Sequence, residues 1–475
     1  MKTADFPTIA KNAVEDVELS LSTSEYGLLT DLYQLTMTAC YVGEGLEHTR
    51  ASFELFVRHL PEGLSYLVAM GLAQAIDYLQ KLRFSQDQIE ALKATGIFTR
   101  VSDLFWTTLA NAKFTGDLWA VPEGTVVFAN EPILRVEAPL WQAQLVETYL
   151  LNTINYQTLI ATKAARMRDV VGDRATLLEF GTRRAFSPQA SIWAARAALG
   201  AGMNATSNVL AALKLGRKPS GTMAHALVMA LAATEGSEDK AFAAFHHYFP
   251  NSPLLIDTFD TIEAARRLAT KVRSGEIDLK GVRLDSGDLV SLSQEVRSLL
   301  PDVSIFASGD LDEFEISRLQ AAGACIDGYG IGTKLVTGVP VNGVYKLVEI
   351  DGKPVSKKSS GKQTYPGRKQ IFRHTKSGEI ATDRLGLATE SARPGEQALL
   401  ELVIKNGEQI KSTESLEAIA QRTRTSVTSL PKSIRSIEQF PQGCVPPHPI
   451  IVELSQDLQA TIAHTPHPTA YTPIP

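Results

Sequence analysis

Four times between residues 250 and 335 a short β-rich run ends in a small or polar cluster and passes into a helical pattern. SPLLI runs into DTFDT, GVRL into DSGDL, VSIFA into SGDLDE and IDGYG into IGTKL. The hand-over points, near Asp257, Asp285, Ser308 and Gly332, are separated by 28, 23 and 24 residues. A strand, a loop and a returning helix need about that length, so the period specifies parallel strands joined by crossover helices, in a barrel or an open sheet. TLLEF running into GTRRA fits the same pattern further upstream. Parallel topology places all five clusters at one edge, the C-terminal ends of the strands, where such folds hold ligands.

The flanks read differently. LLTDLYQLTMTACYV has helical spacing, ASFELFVRHL alternates like a strand, and residues 116–139 read as short antiparallel strands punctuated by Pro and Gly. WQAQLVETYLLNTINYQTLIATKAARM reads as one long helix. After about Val344 the period stops, and YKLVEIDGKPVSKKSSGKQTYPGRKQIFRH reads as a β-hairpin with a basic loop, followed by short strands and the helix SLEAIAQRTRT. This pattern divides the chain into an N-terminal α+β part (1–150), a parallel α/β middle (151–343), in a barrel or an open sheet, and a C-terminal segment (344–475) that returns to complete the first domain. The closing HTPHPTAYTPIP is proline-rich and expected to be loosely ordered.

Composition narrows the partners. A net charge of -5 offers no general attraction to nucleic acid. Three scattered cysteines (Cys40, Cys325, Cys444) form no zinc-ligand spacing and suit a reducing compartment. The N-terminus carries early acids and no apolar segment, and no run approaches the roughly 18 apolar residues of a membrane span, so a cytoplasmic location and no membrane contact are expected.

The edge clusters supply glycine turns and hydroxyls (Ser308-Gly309-Asp310, Gly330-Ile331-Gly332-Thr333), carboxylates (Asp257, Asp285, Asp288) and arginines (Arg183, Arg184, Arg283). Glycine turns that open into helices present free N–H groups, which suits a phosphate. Each cluster also has a plain structural reading. GIGT can be only a tight turn, Asp257 or Thr258 can be a helix cap, and Arg283 with Asp285 can be an internal ion pair. Five clusters on one edge exceed what a purely structural barrel requires. His225, in GTMAH before the apparently buried helix VMALAA, follows a glycine-threonine turn on that same edge, which favours a functional imidazole over a core one. His246-His247 and His59 read as surface residues. Lys357, Lys358, Lys362, Arg368, Lys369 and Arg373 read equally as a solvated hairpin or as a basic arm over a neighbouring phosphate site.

These segments resemble the nicotinate phosphoribosyltransferase family along almost the whole chain. The landmarks include LLTDLYQLTM (28–37), SFELFVRHLP (52–61), EFGTRRA (179–185), NATSNVLAA (204–212), GTMAH (221–225), IDTFDT (256–261), GVRLDSGDL (281–289), SGDLDE (308–313), GYGIGTKLVT (328–337) and YPGRKQIFR (365–373), in collinear order. The resemblance implies a type II phosphoribosyltransferase fold, an irregular TIM-like α/β barrel beside a discontinuous α+β domain built from both chain ends, in a homodimer with shared active sites. It implies transfer of phosphoribosyl from 5-phosphoribosyl 1-diphosphate to nicotinate, with ATP as co-substrate, Mg²⁺ as cofactor and His225 as a transient phosphohistidine. Asp285 would hold the ribose hydroxyls and help organise Mg²⁺, with Asp257 in support. Arg283, Arg183 and Arg184 would meet the nicotinate carboxylate or diphosphate, and Thr222 would leave room for the phosphoryl group. Ser308, Gly309, Gly332 and Thr333 would cradle the 5′-phosphate, and Tyr33 would stack on the pyridine ring across the dimer. Ala226 stands where the family's motif leads one to expect serine. The competing readings are a nicotinamide-specific phosphoribosyltransferase, a barrel aldolase or isomerase acting on a sugar phosphate through Lys334, and a non-catalytic metabolite-binding scaffold.

Overall fold

A computed structural model describes residues 21–359, 362–437 and 451–465. The N-terminal segment, Cys444, almost all of the proline-rich close and the side chains of Lys358 and Lys362 lie outside the described residues. The periodic middle forms a six-stranded sheet whose neighbours all run parallel. Its order is Ala205–Thr206, Thr176–Glu179, Gly328–Ile331, Ser304–Gly309, Gly281–Leu284 and Leu254–Leu255. Every hand-over segment contributes a strand. Among the described residues the ladder does not close into a barrel. Its two edge strands, each two residues long, are too short to carry pairing round to one another.

The helices that follow start on side-chain caps. Asp260, Asp288 and Asp312 accept the backbone N–H groups of Glu263, Val290 and Glu315 and so begin the helices Thr261–Arg273, Leu289–Leu299 and Glu313–Ala321. The first of these buries Ala264, Ala265, Leu268 and Ala269 as one stripe and carries Lys271 and Arg273 in its last turn, where the helix dipole favours cations. Asp257 and Thr258 are therefore not the caps, and both side chains are left for other work.

Strand alternation divides the sheet between two faces. Val282, Leu284, Ile305, Ala307, Tyr329 and Ile331 are buried. Residues of the opposite parity, Leu178, Arg283, Phe306 and Gly330, line a cavity of about 410 Å³. Gly330 makes room for its neighbour, since a Cβ there would come within 2.5 Å of the Phe180 ring.

A second, seven-stranded sheet joins distant parts of the chain. Its order is Lys353–Pro354, Gly343–Ile350, Arg50–Val57, Pro132–Pro139, Asp117–Ala120, Glu401–Lys405 and Glu408–Gln409. Phe53 stacks on Tyr345 across the join at 5.0 Å. A four-stranded sheet, in the order Glu396–Ala398, Lys369–Lys376, Glu379–Leu387 and Ile451–Leu454, follows from the C-terminal segment.

Three expectations are corrected. The long helix is broken at Val146 into Leu140–Leu145 and Glu147–Val171. The helix containing VMALAA, His225–Glu235, buries only Val228 and leaves Met229 56% exposed, because it packs chiefly against the single helix Glu238–Tyr248. Half of the basic stretch is neither solvated nor free to reach a ligand. Arg368 pairs with Glu137 and Glu349, buried Lys369 with buried Glu54 at 2.9 Å, and Arg373 with Asp383 at 2.9 and 2.6 Å. Among the described residues no helix is long and apolar enough to cross a membrane.

Candidate active site

The register of the parallel strands brings their ends level. Leu284 pairs with Ala307, Gly309 with Ile331, and Ile331 with Glu179, so Asp285, Ser308 and Gly332 emerge on adjacent strands. Asp257 Oδ2 accepts the backbone N–H of Asp285 at 2.8 Å and the Ser286 hydroxyl at 2.7 Å, while its Oδ1 is buried without a hydrogen bond. The Ser308 hydroxyl donates to Asp285 Oδ1. Gly309 sits at φ +114°, and a Cβ there would lie 2.9 Å from the Asp285 carbonyl oxygen, so both its backbone and its neighbour require glycine.

His225 is the first residue of its helix and stands half-exposed at this rim. Its Nδ1 lies 3.0 Å from Thr258 Oγ1 and its Nε2 lies 3.9 Å from Asp285 Oδ2. The Thr222 hydroxyl donates to the Pro253 carbonyl, fastening the GTMAH loop beside the strand Leu254–Leu255. From the other side Arg283 Nη1 donates to the Met223 carbonyl at 3.0 Å, two residues before the histidine. Arg283 Nη2 is 3.8 Å from Asp285 Oδ1, the internal ion pair that the sequence allows but too long for a hydrogen bond, and its Nε is buried without a hydrogen-bond partner.

Burial lowers the Arg283 guanidinium below the usual arginine range. Asp285 and Asp257 pull against that shift, and the positive charge of Arg183 adds to it. An arginine nevertheless keeps its proton, so Arg283 and Arg183 form a cationic pair that an anionic guest would relieve. Arg183 and Arg184 are both exposed on the turn after Glu179, but only Arg183 is coupled in this way to Arg283. Glu179 is fully buried, accepts from Gly181 N–H and the Thr206 hydroxyl, and is pushed above the usual carboxylate range by that burial. It folds the turn that carries the arginines. Gly181 is required there, since a Cβ would collide with Val336 at 2.2 Å.

The remaining candidates divide. Gly332 and exposed Thr333 open the short helix after Ile331, next to Gly309. Tyr33 stays outside the cluster within its own chain. It is 47% exposed on the helix Leu32–Gly43, and burial, then Glu147 and Asp31, push its hydroxyl up to about 12. Asp288 is occupied by its cap and by Ser291. Lys334 is exposed beside Asp312, without the apolar pocket that a Schiff-base lysine needs. His246 and His247 lie on the helix Glu238–Tyr248, His247 exposed and His246 partly so. Sequence reasoning missed Thr258 as the partner of His225, Ser286 as a partner of Asp257, and Phe180 as a wall of the cavity beside Arg283. Each sits inside a quoted motif, and only the neighbouring strand gives it a role.

The rim can thus accept hydroxyls at paired carboxylates, hold an anion at Arg283 and Arg183, and present an imidazole nitrogen. Comparisons with known proteins give the family of the chain. Residues 28–155 match the nicotinate phosphoribosyltransferase N-terminal domain, and residues 175–305 match the nicotinate phosphoribosyltransferase family. A nicotinate phosphoribosyltransferase of Mycobacterium tuberculosis is 42% identical over 427 residues, covering 86% of this chain and 89% of its own length. One from Bacillus subtilis is 44% identical over 374 residues, 75% of each chain. The crystal structure of human nicotinic acid phosphoribosyltransferase superposes with a TM-score of 0.79 at 28% identity, covering 91% of this chain and 99% of that one. This chain belongs to the nicotinate phosphoribosyltransferase family.

Proposed function

We propose that this enzyme transfers the phosphoribosyl group of 5-phosphoribosyl 1-diphosphate to nicotinate, releasing diphosphate and forming nicotinate mononucleotide in NAD salvage, with ATP hydrolysis coupled through a phosphate carried on His225. The observation that carries this reading is the Asp257–Asp285–Ser308 network facing Arg283 and His225 across one rim. Cleavage of the ribose C1–diphosphate bond builds positive charge on the sugar and negative charge on the leaving group. Asp285, held rigid by Asp257 and Ser308, accepts the ribose hydroxyls and faces the developing sugar cation. Arg283 and Arg183 hold the nicotinate carboxylate or the diphosphate, Thr222 borders the phosphoryl position, and Ser308, Gly309, Gly332 and Thr333 receive the 5′-phosphate.

Mg²⁺ fits this site as an ion carried by the diphosphate. Among the described residues no three His, Cys, Asp or Glu side chains converge to cage a metal, whereas Mg²⁺ is commonly held by one or two carboxylates together with substrate phosphates. Asp285 is the residue that would meet it, and the bound ion would neutralise leaving-group charge.

A homodimer completes the reading. Tyr33 has no partner in the cluster of its own chain, so a second copy is the source of a Tyr33 that stacks on the pyridine ring. Exposed Met229, Phe186 (76%) and Phe259 (63%) are apolar surface that such a copy would cover. On this reading residues 1–150 and 344–475 form one domain and residues 151–343 the catalytic one, in a cytoplasmic enzyme.

The cationic pair favours the acid over nicotinamide, which would need an acceptor at that position. Titrating both bases against 5-phosphoribosyl 1-diphosphate tests the choice. The expected result is a lower KM for nicotinate, and a lower KM for nicotinamide overturns it.

A further inference from the structure

We infer that Thr258 is the positioning residue that fixes the tautomer of His225: its hydroxyl accepts the Nδ1 proton and leaves the Nε2 lone pair facing the rim. The inference rests on the reading of His225 as phosphoryl acceptor given above. A neutral imidazole carries one proton, and the hydrogen bond made by one ring nitrogen decides which of the two is free to act as nucleophile. Thr258 Oγ1 lies 3.0 Å from Nδ1, whereas the nearest carboxylate oxygen, Asp285 Oδ2, stands 3.9 Å from Nε2, beyond hydrogen-bond distance.

The loop that carries Thr258 divides its side chains among three tasks. Asp257 holds the Asp285 backbone and Ser286, Asp260 caps the helix Thr261–Arg273, and the Thr258 hydroxyl meets the imidazole. A hydroxyl orients the ring without adding a negative charge to it. A carboxylate in the same place would raise the basicity of the ring and so favour the doubly protonated form, which has no lone pair for attack.

The step balances without a proton leaving the ring. The Nε2 lone pair attacks the γ-phosphorus of a nucleoside triphosphate, the Nε2–P bond forms, and the P–O bond to the β-phosphate breaks. The nucleoside diphosphate departs with that electron pair. As Nε2 shares its lone pair the ring becomes positive, and the Nδ1–H bond to Thr258 becomes charge-assisted and stronger. Thr258 therefore favours the phosphorylated ring over the free one.

Two measurements on the full-length protein test this. Nitrogen-15 NMR of histidine-labelled protein, with the His225 signals assigned by their loss in His225→Ala, is expected to show the Nδ1–H tautomer. Labelling with γ-labelled ATP is expected to be about tenfold slower in Thr258→Val, which keeps the shape and loses the hydroxyl, and to recover in Thr258→Ser, with an unchanged melting temperature in both. If wild type takes label at His225 but its ring is Nε2–H, or Thr258→Val labels at the wild-type rate, the role of Thr258 is overturned while the phosphohistidine stands. If wild type takes no label, the phosphohistidine reading fails, and the role of Thr258 with it.

Discussion

Asp257 accepts the backbone N–H of Asp285 at 2.8 Å, so the acid at the end of one strand sets the conformation of the acid at the end of the next. The two carboxylates are thereby assigned different work. On the proposed reading Asp285 faces the reacting atoms and Asp257 supports it. Asp285→Asn is expected to lower kcat by roughly 10²-fold or more, because it removes charge placed for the transition state. Asp257→Ala is expected to cost about tenfold, through loss of a hydrogen bond that holds Asp285. Steady-state rates of nicotinate mononucleotide formation check both, and a larger loss in the Asp257 variant would reverse the assignment.

The Lys369–Glu54 pair lies where the C-terminal segment meets the strand Arg50–Val57, with both side chains almost completely buried. The Lys369 ammonium is lowered by burial against the pull of Glu54. Lys369→Met would leave the Glu54 charge buried without its ammonium partner, and is expected to destabilise the fold by about 3–5 kcal/mol. Denaturant unfolding of the variant reads this directly, and a loss near zero would show that the pair is not retained as an ion pair.

Glu131 and Asp383 share the single guanidinium of Arg373 in the interior. Burial first, then the charge of Asp383, holds the Glu131 carboxyl well above the usual carboxylate range, against the pull of Arg373. An unfolded glutamate loses its proton near 4.5, whereas the folded one keeps it to higher pH. The native state then binds more protons than the unfolded state, so this group's contribution to stability falls as pH rises from about 4.5 through the folded value. Glu131→Gln is expected to flatten that fall in unfolding midpoints measured across the interval. A variant whose stability falls with pH as steeply as wild type would contradict it.

Much of this was legible in the chain, for a physical reason. The spacing of DTFDT, DSGDL and SGDLDE records two demands at once, a side chain at the strand end and a cap at the helix start. In each case the later acid, Asp260, Asp288 or Asp312, starts the helix, and the earlier residue, Asp257, Asp285 or Ser308, faces the site. What the sequence hides is pairing over distance. Lys369 finds its partner 315 residues away, its backbone N–H and its ammonium both meeting the carboxylate of Glu54, so a basic run looks solvated until the fold is known. The helix after His225 misleads in the opposite sense, since its uniformly apolar composition suggests a core helix while the single chain covers only Val228. Thr258 was hidden because a hydroxyl's role depends on which ring it faces, and His225 lies 33 residues before it.

The most direct test of the central claim, that His225 links ATP to phosphoribosyl transfer at the rim built by Asp257, Asp285 and Ser308, is ATP hydrolysis by His225→Ala measured alongside nicotinate mononucleotide formation. ATP hydrolysis is expected to disappear, and with it the acid-labile, base-stable phosphate on the protein, while a slower uncoupled transfer survives. Undiminished ATP hydrolysis in that variant would contradict it.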